Sequence, residues 1–407
     1  MTTPSADAQT RVADIKITLT LLLCGGVNAV NIAKLSPSIP SLQASFALSL
    51  SEIGVLVSVF GVLILVTGVG IAGVVHMIGA RRIILLALGI AAFGSSISLL
   101  GQNVPSLFIG RIIEGMSLIT VMLTAPSLIA KYTSRKRRGV IMGIWSGFMP
   151  FGNAAVFLFA PMLLDQGAWH DVWLAGLIAT LVVFPIAFWG IPKDRTVRSI
   201  TFNMLAISRT ICMPVLALLG ISFAAHSLVY QSLLQFMPVF NHYIADLSFG
   251  WATRLAAIFC MLNLCGNVVS GQMLQNGIAP EKIALWAGII QVALLLALSM
   301  LVSWPGFFIG NLMVIGFVMG WLPAVCFYLV GQYADSAEHI PMCNAWMFQI
   351  QAVGMLTGPV MISWVVETTN NWTYGLVSLI PFCVLIIALA YGLIRIAKTK
   401  PTFAALL

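Results

Sequence analysis

Charge is what this chain of 407 residues most lacks: Asp, Glu, Lys and Arg make up 8% of it, against 60% hydrophobic residues. Soluble domains carry roughly 25% charged residues, so a water-surrounded globule is excluded and a polytopic membrane protein is implied. No Gly-x-x-x-x-Gly-Lys-Ser/Thr segment is present, which removes the phosphate cradle and with it ATP as the energy source. The seven cysteines (Cys24, Cys212, Cys260, Cys265, Cys326, Cys343 and Cys383) include no Cys-x-x-Cys pair and read as small apolar core residues. Of the five histidines, His76, His170, His242 and His339 fall at loops and His226 within an apolar stretch. No two have metal-ligand spacing on one helical face, and no cofactor is expected. Nor does any reactive pair or filter repeat point to an intramembrane enzyme or an ion channel. The N-terminus is polar up to Asp14, which argues against a cleaved signal peptide ahead of the first apolar run.

What is there in abundance is apolar sequence of membrane-crossing length. About 20 apolar residues cover a bilayer. Twelve stretches qualify, near 16–40, 51–75, 82–101, 106–131, 138–164, 171–191, 209–237, 248–275, 281–302, 305–332, 340–366 and 371–396. The longest polar connector, 192–209, falls between the sixth and seventh and divides the chain into 1–191 and 210–407. With twelve crossings both termini share a side, and that side receives 17 of the 20 Lys and Arg residues, the opposite loops none. Such a bias places the termini in the cytoplasm. It also accounts for the net charge of +8 without nucleic acid as a partner.

Three basic residues, Lys34, Arg111 and Arg254, fall inside the apolar stretches. Charges within hydrocarbon are expensive and face a cavity, a partner or a span end. For Lys34 and Arg254, each within about two turns of an expected span end, snorkelling to the headgroups and lining a cavity both remain open. Arg111 has Glu114 three residues on, a separation that lets the two meet on one helix face. Glu114 is the only carboxylate well inside the expected spans. Asn28, Asn31 and Lys34 follow at three-residue steps and share one broad face of the first span; His226 and Tyr230 share a face of the seventh, with Gln231 at its edge. Asn344 and Gln351 share a face of the eleventh, and Gln349 points elsewhere. For any one amide, bonding between helices competes with ligand contact.

The chain also repeats itself. Ala47-Leu48-Ser49 is echoed by Asp246-Leu247-Ser248, Ala160-Pro161 by Gly358-Pro359, and Trp169 by Trp372. The same order at an offset near 200 residues indicates a duplicated six-helix unit.

Three segments resemble the major facilitator superfamily. Ala72 to Arg82 is similar to its signature loop Gly-x-x-x-Asp-Arg-x-Gly-x-Arg-Arg, matching at Gly79, Arg81 and Arg82 and departing at Ala72, His76 and Met77. Arg111-Ile112-Ile113-Glu114-Gly115 resembles the Arg-x-x-x-Gly element linked in that family to proton coupling. Trp169-His170-Asp171-Val172-Trp173 resembles the aromatic start of its sixth span. The Gly-Pro-x-x-Gly-Gly element of proton-driven drug antiporters is broken here, as Gly147 to Asn153, which weakens a drug-efflux assignment.

The resemblance implies an all-α membrane protein of twelve helices in two six-helix bundles, a monomer in a bacterial inner membrane, carrying a small solute. The basic excess of Lys34, Arg111 and Arg254 over Glu114 favours an organic anion, taken up with a proton held on Glu114. Candidate substrate and coupling residues are therefore Arg111, Glu114, Lys34, Asn28, Asn31, His226, Tyr230 and Arg254. His76, Gly79, Arg81, Arg82, Asp335 and Glu338 form a candidate cytoplasmic gate, in which the acidic loop 332–339 pairs with Arg81, Arg82 or the basic loop 131–138. Proton-driven export of a drug or metabolite, and a non-transporting membrane sensor, are the alternatives.

Overall fold

The computed structural model describes residues 6–62, 64–67, 78–132, 145, 147–164, 168–193, 213–333 and 340–399, and every regular element among them is helical. Helices are what hydrocarbon permits, because each closes its own backbone hydrogen bonds without water. Eleven described segments are long and apolar enough to cross a bilayer: Ile15–Phe46, Leu50–Thr67, Ala80–Gly101, Val104–Pro126, Trp169–Gly190, Pro214–Ala245, Phe249–Gln275, Pro280–Ser303, Pro305–Tyr333, Met342–Thr369 and Trp372–Ile396. A shorter apolar helix, Phe148–Leu164, is the described part of the fifth stretch. In chain order these are spans one to twelve. The signature-loop residue His76, the loop acids Asp335 and Glu338, the basic cluster Arg135 to Arg138 and most of the 192–209 connector lie outside the described residues.

The sequence echoes are geometric as well. Span one ends on Ala47 and span seven on Asp246, both left-handed, at φ 54° and φ 51°. Each is followed by Leu and then by a serine at the N-cap of the next span, Ser49 or Ser248. Ser49 goes further and forms a reciprocal cap: its hydroxyl accepts from Glu52 N at 3.2 Å while Glu52 Oε2 accepts from Ser49 N at 2.8 Å. Packing repeats too. Span one lies on spans five and six, and span seven on eleven and twelve; three pairs with four and six, and nine with ten and twelve. The two bundles meet where span two lies along span eleven and span five along span eight, two equivalent seams of one pseudo-twofold arrangement.

Span one departs from the expected end near residue 40. Its helix runs Ala6–Ala33, passes through a turn and a 3-10 segment Ser36–Ser38, and resumes as Ile39–Phe46. Pro37 and Pro40 cannot donate to the turns before them, which explains a break rather than a continuous rod. The resumption carries the span to Phe46 and removes Lys34 from a span end to the interior.

Close helix approach is set by glycine. A Cβ at Gly266 of span eight would strike the Phe317 carbonyl of span ten, whereas at Gly271 of the same helix it would meet nothing within 4 Å. Gly266→Val should therefore destabilise the protein by about 1–3 kcal/mol, and Gly271→Ala should be neutral or gain up to about 1 kcal/mol of helix propensity. Thermal unfolding of the detergent-purified variants checks this; equal melting of both would mean that spans eight and ten are not in contact there.

Candidate functional site

Four helices aim polar groups at one buried point. Glu114, halfway along span four, holds Lys34 of span one through Oε1 at 2.6 Å and Arg111, one turn before it, through Oε2 at 3.0 Å. All three side chains are completely shielded from solvent. Ser95 of span three donates to Glu114 Oε1 at 2.7 Å and accepts from Lys34 Nζ at 2.9 Å. Asn31 accepts from Lys34 Nζ at 3.1 Å and donates to Thr180 of span six at 2.9 Å. The indole of Trp173 completes the surroundings, its ring centre 5.0 Å from Lys34 Nζ. One layer away, Ser117 donates to Asn28 Oδ1 at 2.6 Å, and Asn28 donates to the Cys24 carbonyl at 2.8 Å.

Arg111 has a second task. Its Nη1 reaches the carbonyl of Asn31 at 2.5 Å and its Nη2 that of Ile32 at 3.0 Å. These are among the last carbonyls before the break in span one, where the helix leaves acceptors without amide partners. The guanidinium therefore fastens span four to the frayed end of span one, and presents Lys34, the next residue but one, to Glu114. The three charges sum to +1.

Of the expected residues, the structure brings together Lys34, Arg111, Glu114 and Asn31, with Asn28 adjacent. Snorkelling does not describe Lys34. Arg254 is kept apart: it sits a turn and a half into span eight, partly exposed, its guanidinium 5.1 Å above the ring of Trp251. His226 and Tyr230 stack with centroids 6.1 Å apart in the second bundle. Gln351 bonds Ser227 of span seven at 2.7 Å, and Gln349 bonds the Leu65 carbonyl of span two at 3.0 Å. Gly79 stands at φ 95° as the N-cap of span three, a conformation that favours glycine. Arg81 donates to the Phe188 carbonyl at 2.5 Å, and Arg82 is exposed.

Ser95, Thr180 and Ser117 were missed by sequence reasoning. Hydroxyls in apolar helices hide by bonding their own preceding turn, as Thr180 does with the Gly176 carbonyl at 2.8 Å, so they carry no polar pattern to read.

Comparison with known proteins follows this geometry. The sequence model of the Major Facilitator Superfamily matches residues 21–302. A gallate transporter of Pseudomonas putida is 27% identical over 38% of this chain and 34% of its own length. The quinolone resistance protein NorB of Staphylococcus aureus is 23% identical over 44% of this chain and 38% of its own. The chain thus spans little more than a third of these relatives. A bacterial homolog of the human lysosomal transporter Spinster, solved inward-facing and occupied, superposes with a TM-score of 0.73 at 16% identity, over 93% of this chain and 96% of that one.

The charge cluster makes a stability prediction. Glu114→Gln leaves two buried cations without a counter-charge and should cost about 3–5 kcal/mol. Adding Lys34→Met removes one of them and should recover at least half of that loss. A double-mutant cycle on melting temperature tests the coupling; additive losses would show that Lys34 and Glu114 do not act as a pair.

Proposed function

The chain belongs to the Major Facilitator Superfamily, and we propose that it is a secondary transporter coupling uptake of an organic anion to a proton on Glu114. Its family and fold are those of a multi-pass membrane transporter rather than an enzyme. The observation that carries the finer reading is one carboxylate shared by two fully buried cations at a break in span one.

Protonating Glu114 with nothing else bound would leave Lys34 and Arg111 facing each other in an apolar interior, an arrangement costing several kcal/mol. An anionic solute placed at Lys34 replaces the lost carboxylate. The cluster then carries +1 in two states: Glu114 ionised and empty, or Glu114 protonated with a monovalent anion bound. The mixed states are disfavoured for different reasons: at +2 Lys34 and Arg111 have no counter-charge, and at 0 two carboxylates crowd one ammonium. Proton and anion are thereby tied one to one, and the site carries the same charge in both crossings. Asn31 and Ser95 hold the lysine in place, Arg111 keeps the break in span one fastened, and Trp173 gives the ammonium an aromatic face.

The gallate named for the Pseudomonas putida relative is an organic anion, in keeping with this reading. Export is the second reading, supported by the similarity to a quinolone resistance protein. We read 1–191 and 210–407 as the two moving bundles of a monomer in the inner membrane, termini cytoplasmic. Asp335 and Glu338 would pair with Arg81, Arg82 or the Arg135–Arg138 cluster on closing that side, with His76 beside them. Arg254 is left to the membrane boundary.

Proteoliposomes with a proton gradient and a panel of monovalent carboxylates test the coupling. Glu114→Gln should lose accumulation against a gradient by more than tenfold while retaining solute exchange, and accumulation by the unaltered protein should respond to pH difference but not to an imposed membrane voltage. Unchanged accumulation by Glu114→Gln would remove Glu114 from the coupling. For the gate, Asp335→Lys with Glu338→Lys should raise cysteine labelling in the vestibule facing that loop; unaltered labelling leaves those acids merely solvated.

A further inference from the structure

The two bundles are fastened to each other by a carboxylate at the end where span two begins. Ser51 of span two donates its backbone amide to Glu367 Oε2 of span eleven at 2.9 Å, and its hydroxyl donates to the same oxygen. The first amides of a helix have no acceptor within it. Span two meets that need twice. Ser49 and Glu52 cap it from its own segment, and Glu367 caps it from the other bundle, where a negative charge also gains from the positive end of the helix dipole. Beyond this clasp the seam stays shut. A Cβ on Gly54 would strike Ser363 Oγ and come within 2.8 Å of the Pro359 carbonyl, and one on Gly61 would lie 3.1 Å from Leu356 Cγ. Further along, Gln349 holds the Leu65 carbonyl.

The equivalent seam, between spans five and eight, is built differently. Gly250 of span eight stands 199 residues after Ser51, the spacing that separates Asp246 from Ala47, and it has no hydroxyl to donate. A Cβ there would meet only Pro161, at 3.7 Å. The N-cap residue Ser248 makes no side-chain cap. A groove of about 260 Å³ lies at this point, lined by Pro37, Pro161, Leu164, Phe249 and Gly250. The polar side chains Asn263 and Ser270 of span eight turn away from the seam and bond span ten, at 3.3 Å and 2.9 Å.

We propose that Glu367 is a strap between the bundles. While it holds Ser51, the end away from the chain termini stays shut along spans two and eleven, and the bundles part there first along spans five and eight. The strap acts whatever the solute, and does not depend on the role of Glu114.

Cysteines placed at Ser363 and Gly250 report the two seams, in the full chain with the exposed Cys265 replaced by serine and labelled with a maleimide. Ser363 is completely buried against span two, so its labelling needs that seam to part. Glu367→Ala should speed labelling of Ser363→Cys by about threefold, within the range of an exposed charged contact, and should change Gly250→Cys by less. Glu367→Gln keeps an acceptor oxygen without the charge; it should give a smaller rise and serves as the second variant if the first misfolds. Glu52→Ala removes the cap that crosses no seam, and should leave Ser363→Cys as slow as before. Unchanged labelling of Ser363→Cys in both Glu367 variants overturns the strap. An equal rise with Glu52→Ala overturns it as well, because Glu367 would then be a helix cap and nothing more. Equal rises at Ser363→Cys and Gly250→Cys overturn the order of opening.

Discussion

A carboxylate suspended between two cations, all three shielded from solvent, is the constraint that organises the first bundle. Glu114 cannot stand alone in an apolar interior, and neither can Lys34 or Arg111; each makes the others tolerable. Satisfying all three takes spans one, three, four and six, because one helix presents too few polar groups at one depth. Ser95 and Asn31 fill the remaining hydrogen-bonding capacity around the ammonium. The break in span one is part of the same solution, since it exposes the carbonyls that Arg111 grips.

The second bundle meets the same geometry with different chemistry. Ala47 and Asp246 occupy matching left-handed turns, an offset of 199 residues. Applied to span one, that offset turns Asn28, Asn31 and Lys34 into Ser227, Tyr230 and Leu233. The charged corner of one bundle is thus a ringed and hydroxylated corner in the other. Duplication supplied the framework, and divergence left one half to handle charge and the other to offer aromatic surface.

The spans were legible because membrane-length apolar runs are long and unambiguous, and because basic residues gather in alternate loops. Arg111 and Glu114 were legible as a pair from their three-residue spacing. Lys34 was not, for a definite reason: Pro37 and Pro40 look like the end of a helix, so its location inside the bundle depends on the chain resuming as Ile39–Phe46. That resumption is a tertiary effect, visible once the segment packs against span seven, where Ser36 donates to the Gln235 carbonyl at 2.5 Å. Ser95 and Thr180 stayed hidden because a single hydroxyl in an apolar helix resembles many others. Arg254 lies in the second bundle over Trp251 and does not join this cluster, since basic residues of different bundles need not converge.

The eighty residues that separate Lys34 from Glu114 have a consequence for biosynthesis. Span one leaves the ribosome before span four, and its lysine reaches the translocon before its counter-charge has been made. A mid-span lysine raises insertion free energy by about 2.5–3.5 kcal/mol. The 32-residue length of Ile15–Phe46 supplies enough apolar sequence to offset this. The nascent lysine must then wait, shielded by the insertion machinery or by passing water, until span four arrives. Assembly of this bundle is therefore a deferred neutralisation, and the schedule is written in the order of the helices.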